Sequence, residues 1–131
     1  MNVLLDTNIC VAFLNGEDKK VRDRLLALNH DEVFLCSVVK AELLYGARNS
    51  QKVDANLRKL DEFFRPFTSL PFDDLAAAWY GTLRAQLKRA GTMIGANDLL
   101  IASIALSTDT TLATRNGAEF HRVPGLRVES W

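Results

Sequence analysis

The stretch "LLDTNICVAFL", Leu4 to Leu14, begins apolar, breaks for one carboxylate and two small polar residues, and turns apolar again. Its first part continues a short buried strand, Val3–Leu5, and its second part fits a helix from about Thr7 to Leu14. A carboxylate at such a handover is costly unless it is hydrogen-bonded or paired. Asp6 is therefore either a helix N-cap, a role for which Asp and Thr are both suited, or part of a site. Asn8 and Thr7 beside it are placed to hydrogen-bond its carboxylate.

Working outward from this stretch, the same alternation repeats. A second helix is expected near Val21–Leu28, with Val21, Leu25 and Leu28 on one face, and a second strand at Val33–Cys36. Ser37 can cap a helix over Val38–Ala47. Val53–Phe64 is amphipathic, Phe67–Leu70 reads as a third strand, and Asp73 or Asp74 can cap a long helix that stops at Gly91. A loop, Thr92–Asn97, leads into the nearly all-apolar helix Asp98–Ser107, for which Asn97 is the expected cap. Thr111–Thr114 reads as a strand, Arg115–Gly117 as a turn, and Leu126–Val128 as a last strand. Strands alternating with helices predict one α/β domain over residues 1–131, layered around a central, mostly parallel sheet.

Bulk properties exclude several classes. The 131 residues carry 16 Lys+Arg against 16 Asp+Glu, so no net charge announces a partner. No basic n-region precedes the apolar start, and Asp6 interrupts it too early for a signal peptide. No apolar run approaches the roughly 18–20 residues of a membrane span. Cys10 and Cys36 form no CxxC pair and suit a reducing cytoplasm as small core residues. No GxxxxGK[ST] loop occurs. An aspartyl-phosphate site would want a second Asp where Asn8 stands, and a receiver domain would want a Lys after a late strand, where "TLATRN" has none. Only His30 and His121 are on hand for nucleophile–histidine catalysis, both in expected loops.

Two further acids stand out. Glu42 has Val38, Val39, Tyr45 and Gly46 as its helical neighbours, so no local ion pair explains it. Asp98 opens the most hydrophobic helix, where the helix dipole favours a negative charge. Each acid alone is compatible with a structural role. Together, Asp6, Glu42 and Asp98 each follow a strand or lie in a helix that otherwise looks buried. Crowded carboxylates stay ionised only around a shared cation, and an all-oxygen donor set selects Mg²⁺ or Mn²⁺ over Zn²⁺. Such a centre suits phosphodiester hydrolysis.

"LLDTN", "VKAELLYGA" and "GANDLLIA", their acids separated by 36 and 56 residues, together with the ending "TLATRNGAEFHRVPGLRVESW", closely resemble the PIN-domain ribonucleases, specifically the VapC toxins of bacterial toxin–antitoxin systems. The resemblance implies a three-layer α/β/α fold and a Mg²⁺-dependent endoribonuclease, with Mn²⁺ able to substitute. Asp6, Glu42 and Asp98 would be its catalytic and metal-binding acids. Many members carry a fourth acid in a Thr-x-Asp context, which here reads Thr114, Arg115, Asn116. Thr114 and Asn116 are expected as polar support, with Glu119 as the nearest carboxylate. The resemblance also implies an RNA substrate, with tRNA cleaved in the anticodon region of initiator tRNA in one branch. It further implies a cognate antitoxin, a homodimer, and a heterotetramer or larger assembly with the antitoxin, whose basic side chain enters the acidic pocket. A catalytically inactive PIN fold that binds RNA or protein is the alternative.

Basic residues that could face RNA are Arg84 and Lys88, at i and i+4 on the long helix, and Arg115 beside the suspected site. Val11, Phe13, Leu14, Leu25, Leu26, Leu28, Leu43, Leu44 and Tyr45 are shared between core and a candidate groove for a partner helix.

Overall fold

The computed structural model describes residues 1–131, built on a five-stranded sheet in the order β3-β2-β1-β4-β5. The strands are β1 (Val3–Leu5), β2 (Val33–Cys36), β3 (Thr68–Leu70), β4 (Thr111–Thr114) and β5 (Val128–Ser130). All four pairings are parallel. The central strand β1 is entirely apolar and fully buried, as expected for a strand covered on both faces. The edges are blunter: β3 exposes Thr68 and Ser69, and both edge strands are only three residues long, which limits unwanted strand pairing.

Helices α1 (Thr7–Asn15), α2 (Lys19–Leu26), α3 (Ser37–Arg48) and α4 (Val53–Phe64) connect β1 to β2 to β3. Helices α5 (Asp74–Ala90), α6 (Ala96–Thr108) and the single turn α7 (Gly117–Phe120) serve the return through β4 to β5. Right-handed crossovers in opposite directions place the two sets on opposite faces, giving the three layers. The α5–α6 pair packs Leu83 and Leu87 near Leu99, Ile101 and Ile104, all 2 % exposed or less, so α6 has no polar face to speak of.

Local signals set most helix ends. Asp18 caps α2 by accepting from the Val21 N–H at 3.1 Å, which starts this helix two residues earlier than its apolar periodicity predicts. Asp73 caps α5 through the Ala76 N–H, and Gly91, in the left-handed region at φ 69°, ends it. Two expected caps fail. Ser37 is the first residue of α3, and its hydroxyl instead accepts from the Phe72 N–H at 3.2 Å, tying α3 to the segment after β3. Asn97 lies inside α6, whose N-cap is Gly95 with no local side-chain bond. The expected turn at Arg115–Gly117 runs on into α7, and β5 starts at Val128, opposite Leu112, rather than at Leu126.

In an order 3-2-1-4-5 the connections diverge between β1 and β4, and the crevice beyond their carboxyl ends is where open α/β sheets hold ligands. Leu5 pairs with Ala113, so the next residues, Asp6 and Thr114, face one another across that crevice. Leu112, fully buried on β4, is expected to cost about 2–5 kcal/mol on replacement by Ala, read as a lower urea midpoint with an unchanged slope.

Candidate functional site

Asp6 is both N-cap and site residue. It is 3 % exposed, yet both carboxylate oxygens are satisfied. Oδ1 accepts from the Thr7 N–H at 2.8 Å and Oδ2 from the Thr114 hydroxyl at 2.7 Å. The Thr114 oxygen accepts in turn from the Asn116 N–H at 2.9 Å. Burial still wins over these bonds and pushes the Asp6 carboxyl above the ordinary aspartate range, with Glu42 and Glu119 adding repulsion.

Thr7 and Asn8 depart from expectation. Thr7 supports Asp6 through its backbone, while its hydroxyl donates to Glu42 Oε1 at 2.9 Å and so fastens α3 to α1. Asn8 does not reach Asp6. One step along a helix turns a side chain by roughly 100°, and that step leaves Asn8 exposed.

Asp98, in the first turn of α6, is half-buried, and its Oδ2 and the Oε1 of Glu119, which reaches back from α7, both lie close to Gly95. Glu119 Oε1 accepts from the Gly95 N–H at 2.7 Å, supplying the cap that α6 lacks locally, and Oε2 accepts from the Asn116 amide at 2.5 Å. A Cβ at Gly95 would be in ordinary contact with both acids, 3.4 Å from Asp98 Oδ2 and 3.6 Å from Glu119 Oε1. Burial, then the charges of Asp6 and Glu119, push Asp98 up to about 7, while the Gly95 N–H holds Glu119 below its ordinary range.

The structure therefore gathers Asp6, Glu42, Asp98 and Glu119, and none of the four takes part in a salt bridge. Glu119, the nearest carboxylate to the expected Thr-x-Asp position, reaches the Asn116 amide and the Gly95 N–H. Its sequence signal is the i+3 spacing from Asn116, which becomes legible only once a helical turn is known to lie there. As the side chains stand, no group of three or more His, Cys, Asp or Glu residues is close enough together to hold a metal ion. Oxygen donors that repel one another beside an open cleft nevertheless fit a hard divalent ion that keeps several waters. Soft donors are out of play: burial pushes the Cys36 thiol up to about 11 and Cys10 higher still.

The basic residues are less concerted. Arg84 is exposed, donates one bond to Tyr80 Oη at 2.9 Å and lies 5.8 Å over that ring. Lys88 is exposed on the same helix. Arg115 pairs with Asp18 at 3.3 Å.

Because Asp98 keeps a proton in the folded chain up to about pH 7, and gives it up near 3.8 when unfolded, the native state binds more protons across that window. Stability from this group is thus lost as pH rises from about 4 toward 7. Metal-free protein is expected to melt lower at pH 8 than at pH 6, and Asp98→Asn is expected to shrink that difference, both followed by circular dichroism.

Comparison with known proteins gives concordant matches. The PIN domain family model matches residues 3–126. The chain is 40% identical to "Ribonuclease VapC2" of Rickettsia felis, over 100% of the chain and 98% of that protein. It is 38% identical to "tRNA(fMet)-specific endonuclease VapC" of Shigella flexneri, over the same shares. Among solved structures, VapBC2 from Rickettsia felis bound to a DNA fragment of its promoter includes a chain that superposes with a TM-score of 0.93 at 40% identity, covering 100% of this chain and 99% of that one.

Proposed function

The chain belongs to the PIN-domain family, and from that premise we propose that it is the ribonuclease toxin of a toxin–antitoxin pair, hydrolysing RNA phosphodiester bonds with a divalent metal held among Asp6, Glu42, Asp98 and Glu119. The observation that carries this is the set of four unpaired carboxylates at the divergence of β1 and β4. Structural carboxylates in such a place would be expected to have taken an arginine or lysine partner.

Mg²⁺ or Mn²⁺ bound there would make a water more acidic and offset charge on the leaving oxygen. The chain's own contributions are positional. Thr114 and the Thr7 N–H hold Asp6 at both oxygens, so its remaining lone pairs have one direction. Thr7 anchors Glu42 at Oε1 and leaves Oε2 free to take a proton from a water. Asn116 and the Gly95 N–H keep Glu119 ionised and turned toward Asp98. Orientation by outer hydrogen bonds of this kind is what tunes a carboxylate-held metal.

tRNA is the proposed substrate, with the anticodon region of initiator tRNA as the cut site, supported by the activity in the name of the Shigella flexneri relative. A cognate antitoxin is the proposed partner, supported by the toxin–antitoxin complexes among the structural relatives, within which this chain would form a homodimer and a heterotetramer or larger. A cleft of about 320 Å³ bordered by Val11, Leu14, Leu43, Ala47 and Leu60 runs from α1 to α4 and ends at Thr7 and Glu42, so an apolar helix seated there would end beside the acids. No helix is long and apolar enough to cross a membrane, and cytoplasmic action on RNA is proposed.

Purified protein with tRNA and Mg²⁺ or Mn²⁺ is expected to give discrete fragments that EDTA prevents, with the ends read by sequencing. Asp6→Asn and Asp98→Asn are expected to lower the rate at least about 100-fold while the fold is kept. RNA binding without cleavage in the wild type would show an inactive binding module instead. Joint replacement of Arg84 and Lys88 by Ala is expected to weaken RNA binding and reduce its salt dependence. An unchanged salt slope would remove α5 from the RNA surface.

A further inference from the structure

Asn8, Val11, Ala12 and Asn15 occupy positions i, i+3, i+4 and i+7 of α1 and so form one stripe along it. Folding accounts for Ala12, which is 6 % exposed, but not for Val11, 41 % exposed, nor for the two asparagines. Asparagine is a poor helix former, and the amides of Asn8 and Asn15 are exposed and make no hydrogen bond inside the chain. The stripe borders a cleft of about 500 Å³ that is completed by Asp18 and Arg115.

These two residues are held with unusual definition for a surface pair. Asp18 Oδ1 is occupied by the α2 cap at 3.1 Å, and Oδ2 receives Arg115 Nη2 at 3.3 Å. A guanidinium has five N–H donors, and this contact leaves most of Arg115's unspent. A half-exposed ion pair of this kind adds little stability. Its effect is to aim a planar donor group into the cleft, next to a carboxylate acceptor.

The position and charge of the cleft say what it would take. Asn8 follows Asp6 by two residues, and Arg115 follows Thr114, whose hydroxyl holds Asp6. Two residues of the cleft are thus close in sequence to Asp6 and its Thr114 partner, and none of the four acids lines the cleft itself. Glu17 and Asp18 outnumber Arg115, which disfavours a phosphate and favours a neutral, planar group with mixed hydrogen-bonding edges. We propose that this cleft is a nucleobase subsite. It receives one unstacked base of the RNA strand whose phosphate lies at the acids, with the base plane on Val11 and Ala12 and its polar edge toward Arg115, Asp18 and the two amides. Base edges in single strands are read by such side chains. The subsite rests on the ribonuclease proposal above.

Metal-free protein titrated with AMP, GMP, CMP, UMP and ribose 5-phosphate tests it, followed by NMR at the Asn8 and Asn15 side-chain amides. One nucleotide is expected to shift both amides saturably while ribose 5-phosphate does not. Arg115→Ala and Asp18→Asn, the latter keeping a good cap for α2, are expected to weaken that binding about tenfold. Silent amides, or an equal response to ribose 5-phosphate, overturn the subsite. A second arm cuts random-sequence RNA and sequences the ends, expecting a base preference beside the cut that Arg115→Ala flattens about tenfold. A preference that survives in Arg115→Ala overturns the subsite and leaves the ribonuclease proposal standing. Nucleotide-specific shifts in a protein that cuts no RNA support the subsite and defeat the ribonuclease proposal.

Discussion

The hydrogen bond from Thr114 to Asp6 is the constraint around which the rest is arranged. It joins the carboxyl ends of β1 and β4, the two strands between which the chain changes direction across the sheet. A carboxylate only 3 % exposed is tolerated because each oxygen has a donor. Apolar β1 fixes where Asp6 emerges, and the Leu5–Ala113 register fixes what it meets. The other acids are then placed relative to this pair, Glu42 through Thr7 and Glu119 through Asn116.

The centre is electrostatically uncomfortable, and the fold carries that cost in a consistent way. Four carboxylates share a small region without a salt bridge, and Arg122 lends its positive charge to Glu119. The strain appears as carboxyls of Asp6 and Asp98 pushed above their ordinary range, while the Gly95 N–H and the Asn116 amide hold Glu119 below its own. Gathering like charges in this way costs stability. The large apolar core, with both cysteines buried in it, absorbs the penalty.

Much of this was legible in the residues. The short strands and helices declared themselves through apolar runs and period, and Asp6, Glu42 and Asp98 stood out as acids in segments that otherwise wanted burial. What was not legible depended on long-range contacts. Ser37 and Asn97 look like caps locally, but Ser37 is claimed by the Phe72 N–H and α6 is capped by Glu119 from 24 residues away. Glu119 was the nearest acid to the expected fourth position, and only the α7 turn shows that it reaches Gly95. Asn8 failed for a simpler reason, the angular step between successive helical residues, which periodicity alone could have exposed.

The bond between Thr114 and Asp6 spans 108 residues of sequence, and Glu119 lies further along still. An enzyme assembled this way has no finished centre while its later strands are inside the ribosome. The first part of the chain emerges with Asp6 and Glu42 but without the groups that orient or accompany them. A cell translating this chain thus meets no assembled acidic centre until Thr114 and Glu119 have left the ribosome.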